Sequence, residues 1–174
     1  MSEVRANDIL DAESRLAQQP RDARPELRLW LRMLTCTTMI EREIRRRLAD
    51  RFAITLPRFD LLAQLDKSPE GLTLGDISRR MMVTNGNVTG LVARIAEQGF
   101  VERRRDASDG RAQRIVMTDK GRTQFSAMAR QHGLWITELL AGLDPTEREL
   151  LMGLLGKTKA SVARATTERA EAAE

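Results

Sequence analysis

Apolar positions spaced three and four residues apart dominate this chain and divide it into helices of very unequal length. From Pro25 to about residue 51, two apolar stripes run side by side. One holds Trp30, Met33, Thr37, Ile40, Ile44 and Leu48, the other Leu27, Leu31, Leu34 and Thr38. A helix with two apolar stripes buries against two partners. The pattern therefore predicts a long helix packed on its own globular domain on one side and on a second subunit on the other. Pro25 suits a first helical turn, where its missing N–H would be unpaired anyway. The charge-rich run 41–51 reads as a solvated face laced by pairs one turn apart. A short helix is predicted over Leu56–Asp66, with Thr55 as cap, Pro57 in the first turn, and Phe59, Leu62, Ala63 and Leu65 facing the core. A turn at 68–71 follows, and Leu72 and Thr73 form a candidate two-residue strand. Thr73-Leu74-Gly75-Asp76 resembles a capping box with Asp in the Glu place, opening a helix over Leu74–Met81 that buries Leu74, Ile77 and Met81.

The next period carries the candidate chemistry. Val88, Leu91, Val92 and Ile95 fall at i, i+3, i+4 and i+7, so one face of a helix over 84–98 is buried, with Thr84 as its N-cap. Asn85, Asn87, Thr89 and Arg94 occupy the opposite face. Asn can pair bidentately with adenine in the major groove, Thr can meet a thymine methyl, and Arg can clamp a guanine or a phosphate. Gly86 and Gly90 weaken a helix by about 1 kcal/mol each relative to Ala, but they permit close approach to a groove. On its own the stretch reads equally well as a polar surface helix with two glycines. Its neighbours decide between the two readings. A capped short helix, a tight turn and a second helix with polar residues at its start form a helix-turn-helix.

Gly99 is a typical residue just beyond a helix end. Residues 100–105 and 113–117 then read as antiparallel strands around Asp109-Gly110, a strong hairpin signal. Such a hairpin after a helix-turn-helix is a wing. Thr118-Asp119-Lys120-Gly121 starts another long helix, to about residue 141. Asp144-Pro145-Thr146-Glu147 is a cleaner capping box and opens a last helix with Leu150, Leu151, Leu154, Leu155 and Val162. These helices are too long and too apolar for a lone DNA-reading module and are expected to form a dimer interface with the first. The fold class is mainly α with a small β-hairpin wing, a winged helix-turn-helix plus a long-helix dimerisation region. Its expected parts are a flexible arm at 1–24, a dimerisation helix at 25–52, the DNA-binding domain at 53–117, dimerisation helices at 118–168 and a tail at 169–174.

Composition narrows the function. The 174 residues carry 29 Lys plus Arg against 25 Asp plus Glu, a formal +4. That excess is modest, but Arg103, Arg104, Arg105, Arg111 and Arg114 fall in one short region, and Arg suits phosphate contacts and narrow grooves. With two Trp, four Phe and no Tyr, a base-stacking platform for single strands is not expected. No long uncharged apolar run is present, so no membrane span is expected. Residues 1–5 lack an apolar segment, so no signal peptide is expected. A single cysteine excludes an internal disulfide and fits a reducing, cytoplasmic setting. One His, one Cys, no metal-ligand cluster and no Gly-rich phosphate loop argue against an enzyme, a metal or a cofactor.

Three stretches together resemble the MarR family of winged-helix transcriptional regulators. They are Leu56-Pro57-Arg58-Phe59-Asp60-Leu61-Leu62, Leu91-Val92-Ala93-Arg94-Ile95 through Gly99-Phe100-Val101-Glu102-Arg103, and the run from Asp106-Ala107-Ser108-Asp109-Gly110-Arg111 through Thr118-Asp119-Lys120-Gly121-Arg122. The resemblance covers about residues 26–165. It implies a homodimer on double-stranded DNA, with the 84–98 helix in the major groove and the wing in the adjacent minor groove. Arg111 takes the wing-tip position, and Asp109 resembles the family aspartate that orients wing arginines. Gly110 stands where the family usually has Arg, so one contact is missing. Thr84, Asn85, Asn87, Thr89, Arg94, Arg103, Asp109 and Arg111 are the candidate DNA-binding residues, with Lys120 a further phosphate candidate. A two-fold dimer implies a pseudo-palindromic operator with half-sites about 10 bp apart.

Many relatives release DNA on binding a small anionic, often aromatic, ligand. Candidate lining residues are Trp30, Met33, Met39, Arg42, Arg58, Phe59, His132 and Trp135, all of them residue types that also simply fill helix cores or cover surfaces. The Thr-Asn-Gly-Asn-Val-Thr-Gly version of the recognition helix is similar to regulators of aromatic-acid catabolism, some of which sense acyl-CoA thioesters. The expected function is a homodimeric repressor released by such an effector. Alternatives are a redox-sensing regulator acting through Cys36, disfavoured by its mid-helix position and the lack of Tyr, and a ligand-independent architectural DNA-binding protein.

Overall fold

The structure, a computed structural model, describes residues 25–105 and 113–171, with side chains to residue 169. The sequence-predicted arm at 1–24, the wing tip at 106–112 and the end of the tail lie outside the described residues. The chain divides into two compact units, Met1–Gly133 and Leu134–Glu174.

The first unit opens with α1 (Pro25–Phe52), followed by α2 (Leu56–Asp66), β1 (Leu72–Thr73), α3 (Leu74–Met81) and α4 (Asn85–Glu97). The strands β2 (Val101–Arg105) and β3 (Gln113–Met117) come next, then α5 (Asp119–Leu139), inside which the unit ends. The wing is a three-stranded antiparallel sheet in the order β1-β3-β2. Leu72 pairs with Ile115 and Thr73 with Arg114, while Val101 pairs with Met117 and Arg105 with Gln113. The third strand answers the weakness of an isolated two-stranded hairpin. It also ties the wing to the start of α3.

α2 is the centre of this unit, packing against α1, α3, α4 and β3. Phe59, Leu61, Leu62 and Leu65 are all buried. Leu61 falls outside the face predicted from spacing, because four elements pack around α2 and leave only a narrow solvent strip that includes Pro57 and Asp60. Around α2 lie Ile44 and Leu48 of α1, Ile77 of α3, Val88, Val92 and Ile95 of α4, and Ile115 of β3, each at most 2% exposed. Burying side chains of this size contributes roughly 1.5–3 kcal/mol apiece.

Thr55 and Thr84 both hold extended N-cap backbone, at α2 and α4, but neither side chain makes the capping hydrogen bond. Thr73 does: its hydroxyl accepts from the Asp76 backbone N–H at 3.1 Å and donates to the Asp76 carboxylate at 2.8 Å. That donation, first among several causes, holds the Asp76 carboxyl below its ordinary value. Two glycines are sterically required here. Gly71 sits at φ +80°, and a Cβ at Gly121 would lie 2.0 Å from the Phe100 carbonyl oxygen.

The second unit contains the end of α5 and α6 (Pro145–Glu171). The capping box at its start is complete. Asp144 accepts from the Glu147 N–H and Glu147 accepts from the Asp144 N–H, both at 2.9 Å. Almost every described side chain of α6 is exposed, including Leu150, Leu151, Met152, Leu154, Leu155 and Val162.

Candidate nucleic-acid interface

The site is built on α4 because that helix has one fully dry face and one fully open face. Val88, Val92 and Ile95 have no measurable exposure. Across the axis, Asn85, Asn87, Thr89, Ala93 and Arg94 are all exposed. Between them Gly86 and Gly90 meet nothing: a Cβ added at either would have no neighbour within 4 Å. The fold's own packing therefore does not require these glycines, although each weakens the helix by about 1 kcal/mol. The Thr89 hydroxyl donates to the Asn85 carbonyl at 3.0 Å, which uses its proton and leaves its methyl and lone pairs. Arg94 has no carboxylate partner among the described residues.

The far end of α4 is pinned by three groups. Gly99 takes φ +73°, turning the chain into β2. The Thr118 hydroxyl donates to the Gly99 carbonyl at 2.7 Å. The Lys120 ammonium donates to the Gln98 carbonyl at 2.8 Å and lies 5.4 Å from the centre of the Phe100 ring. A cation on the last carbonyls of a helix is favourable for hydrogen bonding and for the helix dipole. The sequence suggested Lys120 as a phosphate contact; its side chain is exposed, and one of its three ammonium N–H groups ties the end of α4 to the start of α5. The near end is set by α3. Its last turn closes with Val83 N–H donating to Ser78 O at 3.1 Å and Met82 N–H to Arg79 O at 3.4 Å. Met82 sits there in the left-handed region, φ 55° and ψ 39°.

In the wing, Arg103 is exposed and its guanidinium reaches the Gln113 amide oxygen at 3.4 Å, with no carboxylate partner among the described residues. Arg104 is paired with Glu102, Nε to carboxylate at 2.6 Å. Arg114 donates to the Gly71 carbonyl at 3.1 Å. Asp109 and Arg111, predicted for the wing tip, lie outside the described residues.

The candidate effector residues fall in different settings. Phe59 is buried between two rings, Phe125 at 5.5 Å and His132 at 5.0 Å between centroids. His132 is partly buried, and that desolvation pushes its pKa below the ordinary 6.5. Arg58 and Met33 are half-buried, Arg42 is exposed, and Trp30 and Met39 stand more than half exposed on α1. Trp135 is buried and belongs to the second unit. The structure thus joins Phe59 to His132 and leaves Trp30, Met39 and Arg42 on the surface of α1. Cys36 is exposed at mid-helix on α1. Among the described residues no group of His, Cys, Asp or Glu could hold a metal ion, and no helix is long and apolar enough to cross a membrane.

Comparison with known proteins agrees with this geometry. Residues 54–112, which run from just before α2 to the wing tip, match the model of the MarR family. The uncharacterized HTH-type transcriptional regulator YkoM of Bacillus subtilis is 33% identical over 84 residues, covering 48% of this chain and 54% of that protein. The transcriptional activatory protein BadR of Rhodopseudomonas palustris is 30% identical over 113 residues, covering 63% of this chain and 64% of BadR. The matched stretches thus span less than two-thirds of these two curated relatives. A crystal structure of a MarR family transcriptional regulator from Silicibacter pomeroyi superposes with a TM-score of 0.69 at 30% identity, over 83% of this chain and 99% of that one. A helix-turn-helix with one open face, a three-stranded wing behind it and a full-length relative of the same fold lead to one conclusion: the chain belongs to the MarR family of winged-helix transcriptional regulators.

Proposed function

We propose that the chain acts as a homodimer on a pseudo-palindromic operator, with α4 in the major groove and the wing along the adjacent minor groove. Asn85, Asn87 and Thr89 read base edges, while Arg94 and Arg103 hold phosphates. Asp109 orients Arg111, which enters the minor groove. The observation that carries this reading is the face of α4 itself: polar side chains of groove-reading type, interrupted by two glycines over open space, backed by three wholly buried apolar residues. Footprinting on DNA flanking the gene, with Asn87→Ala and Arg111→Ala beside the wild type, tests it. The expected result is a protected two-fold site with half-sites about 10 bp apart, lost in both variants. Equal affinity for that DNA and a scrambled duplex at matched salt would remove the reading.

The dimer is supported by apolar surface without a partner in one copy: Leu150, Leu151, Leu154 and Leu155 on α6, and Leu27, Leu29 and Trp30 on α1. Such surface marks an association site. Sedimentation of the purified protein should show twice the 19.6 kDa chain mass; a monomer at micromolar concentration would reject it. Occlusion of a promoter makes repression the direction of control. The effector is a small aromatic acid or its CoA thioester, read by Arg58 beside the Phe59–His132 ring pair. Titrating benzoate-type acids and phenylpropenoyl-CoA into the protein–DNA complex should release the DNA with one of them; no release by any would reject this effector class.

A further inference from the structure

Met82, in the turn between α3 and α4, is 93% exposed and takes φ 55°, a backbone conformation that L side chains rarely adopt. Either feature alone is ordinary, since single apolar side chains are scattered over most protein surfaces. Their coincidence is not. The turn needs a left-handed residue to let Val83 bond back to Ser78, and glycine meets that need without strain. A methionine there adds strain and buries almost nothing, so folding does not explain it. Its chain neighbours Met81 and Val83 are half-buried, and the exposed residues on either side, Arg79, Arg80, Thr84 and Asn85, are polar. A protein or lipid partner would call for a continuous apolar patch, and an isolated apolar side chain among cations and amides does not supply one. It does suit a DNA groove, where apolar groups are small and separate and lie between phosphates. Met82 stands three residues before Asn85, at the end of α4 whose residues reach base edges in a helix-turn-helix.

We propose that Met82 is a DNA-contacting specificity residue, its thioether chain packing against an apolar group of the duplex, either a thymine methyl or a deoxyribose, at the edge of the major groove. This rests on α4 being the recognition helix. Methionine is well matched to the task, being unbranched and polarizable and able to fit an irregular surface. The strain tolerated at its backbone is the kind that marks a functional position.

The test uses a duplex that the full-length wild-type protein selects from a randomised pool. Met82→Gly should raise the melting temperature by about 2 °C, because the left-handed strain is relieved. It should also weaken binding to the selected duplex by about tenfold. Met82→Leu, which keeps the apolar bulk, should bind near the wild-type level. Replacing thymine by deoxyuridine in the duplex separates the two sources of apolar surface. With thymines replaced one position at a time, a methyl read by Met82 gives one position at which the wild type loses affinity and Met82→Gly does not; if the sugar is contacted, no position separates the two proteins. Unchanged affinity of Met82→Gly, or an equal loss in Met82→Leu, overturns the proposal. Asn87→Ala is the control for the underlying reading. If it weakens binding while Met82→Gly does not, only the role of Met82 falls. If no sequence is enriched, or Asn87→Ala is silent, the recognition helix itself is misassigned.

Discussion

Two sets of arginines on this chain are chemically identical and treated in opposite ways. On α1, Arg45 pairs with Glu41, Arg46 with Glu43 and Asp50, and Arg47 with Glu43, all one turn apart at 2.6–3.0 Å. On α4 and β2, Arg94 and Arg103 have no carboxylate partner among the described residues. The first set neutralises itself and contributes little beyond helix support. The second set keeps its guanidinium groups exposed to solvent. Lys120 is a third case, an exposed cation with one hydrogen bond to a backbone carbonyl. The lesson is that the count of basic residues, a net +4, says less about an anionic partner than which of them lack an internal acid.

That contrast can be broken most strongly at the unpaired set. Arg94→Ala with Arg103→Ala should lower operator affinity by two or more orders of magnitude and reduce the salt slope of binding by about two, one for each phosphate contact removed. A salt slope equal to the wild type's would mean that neither arginine meets a phosphate. Next comes Lys120→Ala. The cap on α4 is lost but no external contact is, so affinity should fall several-fold, at about 1 kcal/mol, with the salt slope unchanged. A slope lowered by about one would make Lys120 a phosphate ligand after all.

The paired set should respond weakly. Arg45→Ala is expected to change thermal stability by less than about 0.5 kcal/mol and leave DNA binding as it was. A clear affinity loss would show that the α1 arginines also face DNA. The smallest effect is on acid stability. Hydrogen bonds from Arg46 and then Arg47 hold the Glu43 carboxyl at about 2, down from 4.5. A depressed carboxyl stabilises the fold above its unfolded value and loses that contribution as pH falls from 4.5 toward 2. Glu43→Gln should therefore flatten the acid limb of the melting-temperature profile slightly in that window. Superimposable profiles would mean that the pairs do nothing for folding.

How much of this could be read from the chain alone varies with the range of the interaction. The bounds of α3 and α4, the left-handed Gly99 and the Asp144–Glu147 box are local patterns, and local patterns are written in consecutive residues. So is the dry face of α4, because its period is that of the helix. Leu61 was hidden because α2 is enclosed on more than one side and its burial has no single period. The engagement of Lys120 was hidden because its partner, Gln98, lies 22 residues away. Met82 gave no signal because left-handed turns are foreseen from glycine or asparagine, and neither stands there. The candidate DNA face was legible as exposed polar residues. The ring pair of Phe59 and His132 joins α2 to α5, and no spacing rule connects them.

Thr73 belongs to two elements at once. It pairs with Arg114 at the edge of the sheet, and its hydroxyl caps α3. In mechanical terms this makes β3 a lever whose short arm ends on the first turn of the helix-turn-helix. A displacement of β3 would reach the base of α3 through the Leu72–Ile115 and Thr73–Arg114 pairs, and from there α4 through the tight turn. The sheet and α4 are thus connected through the first turn of α3, and Thr73 is the residue the two share.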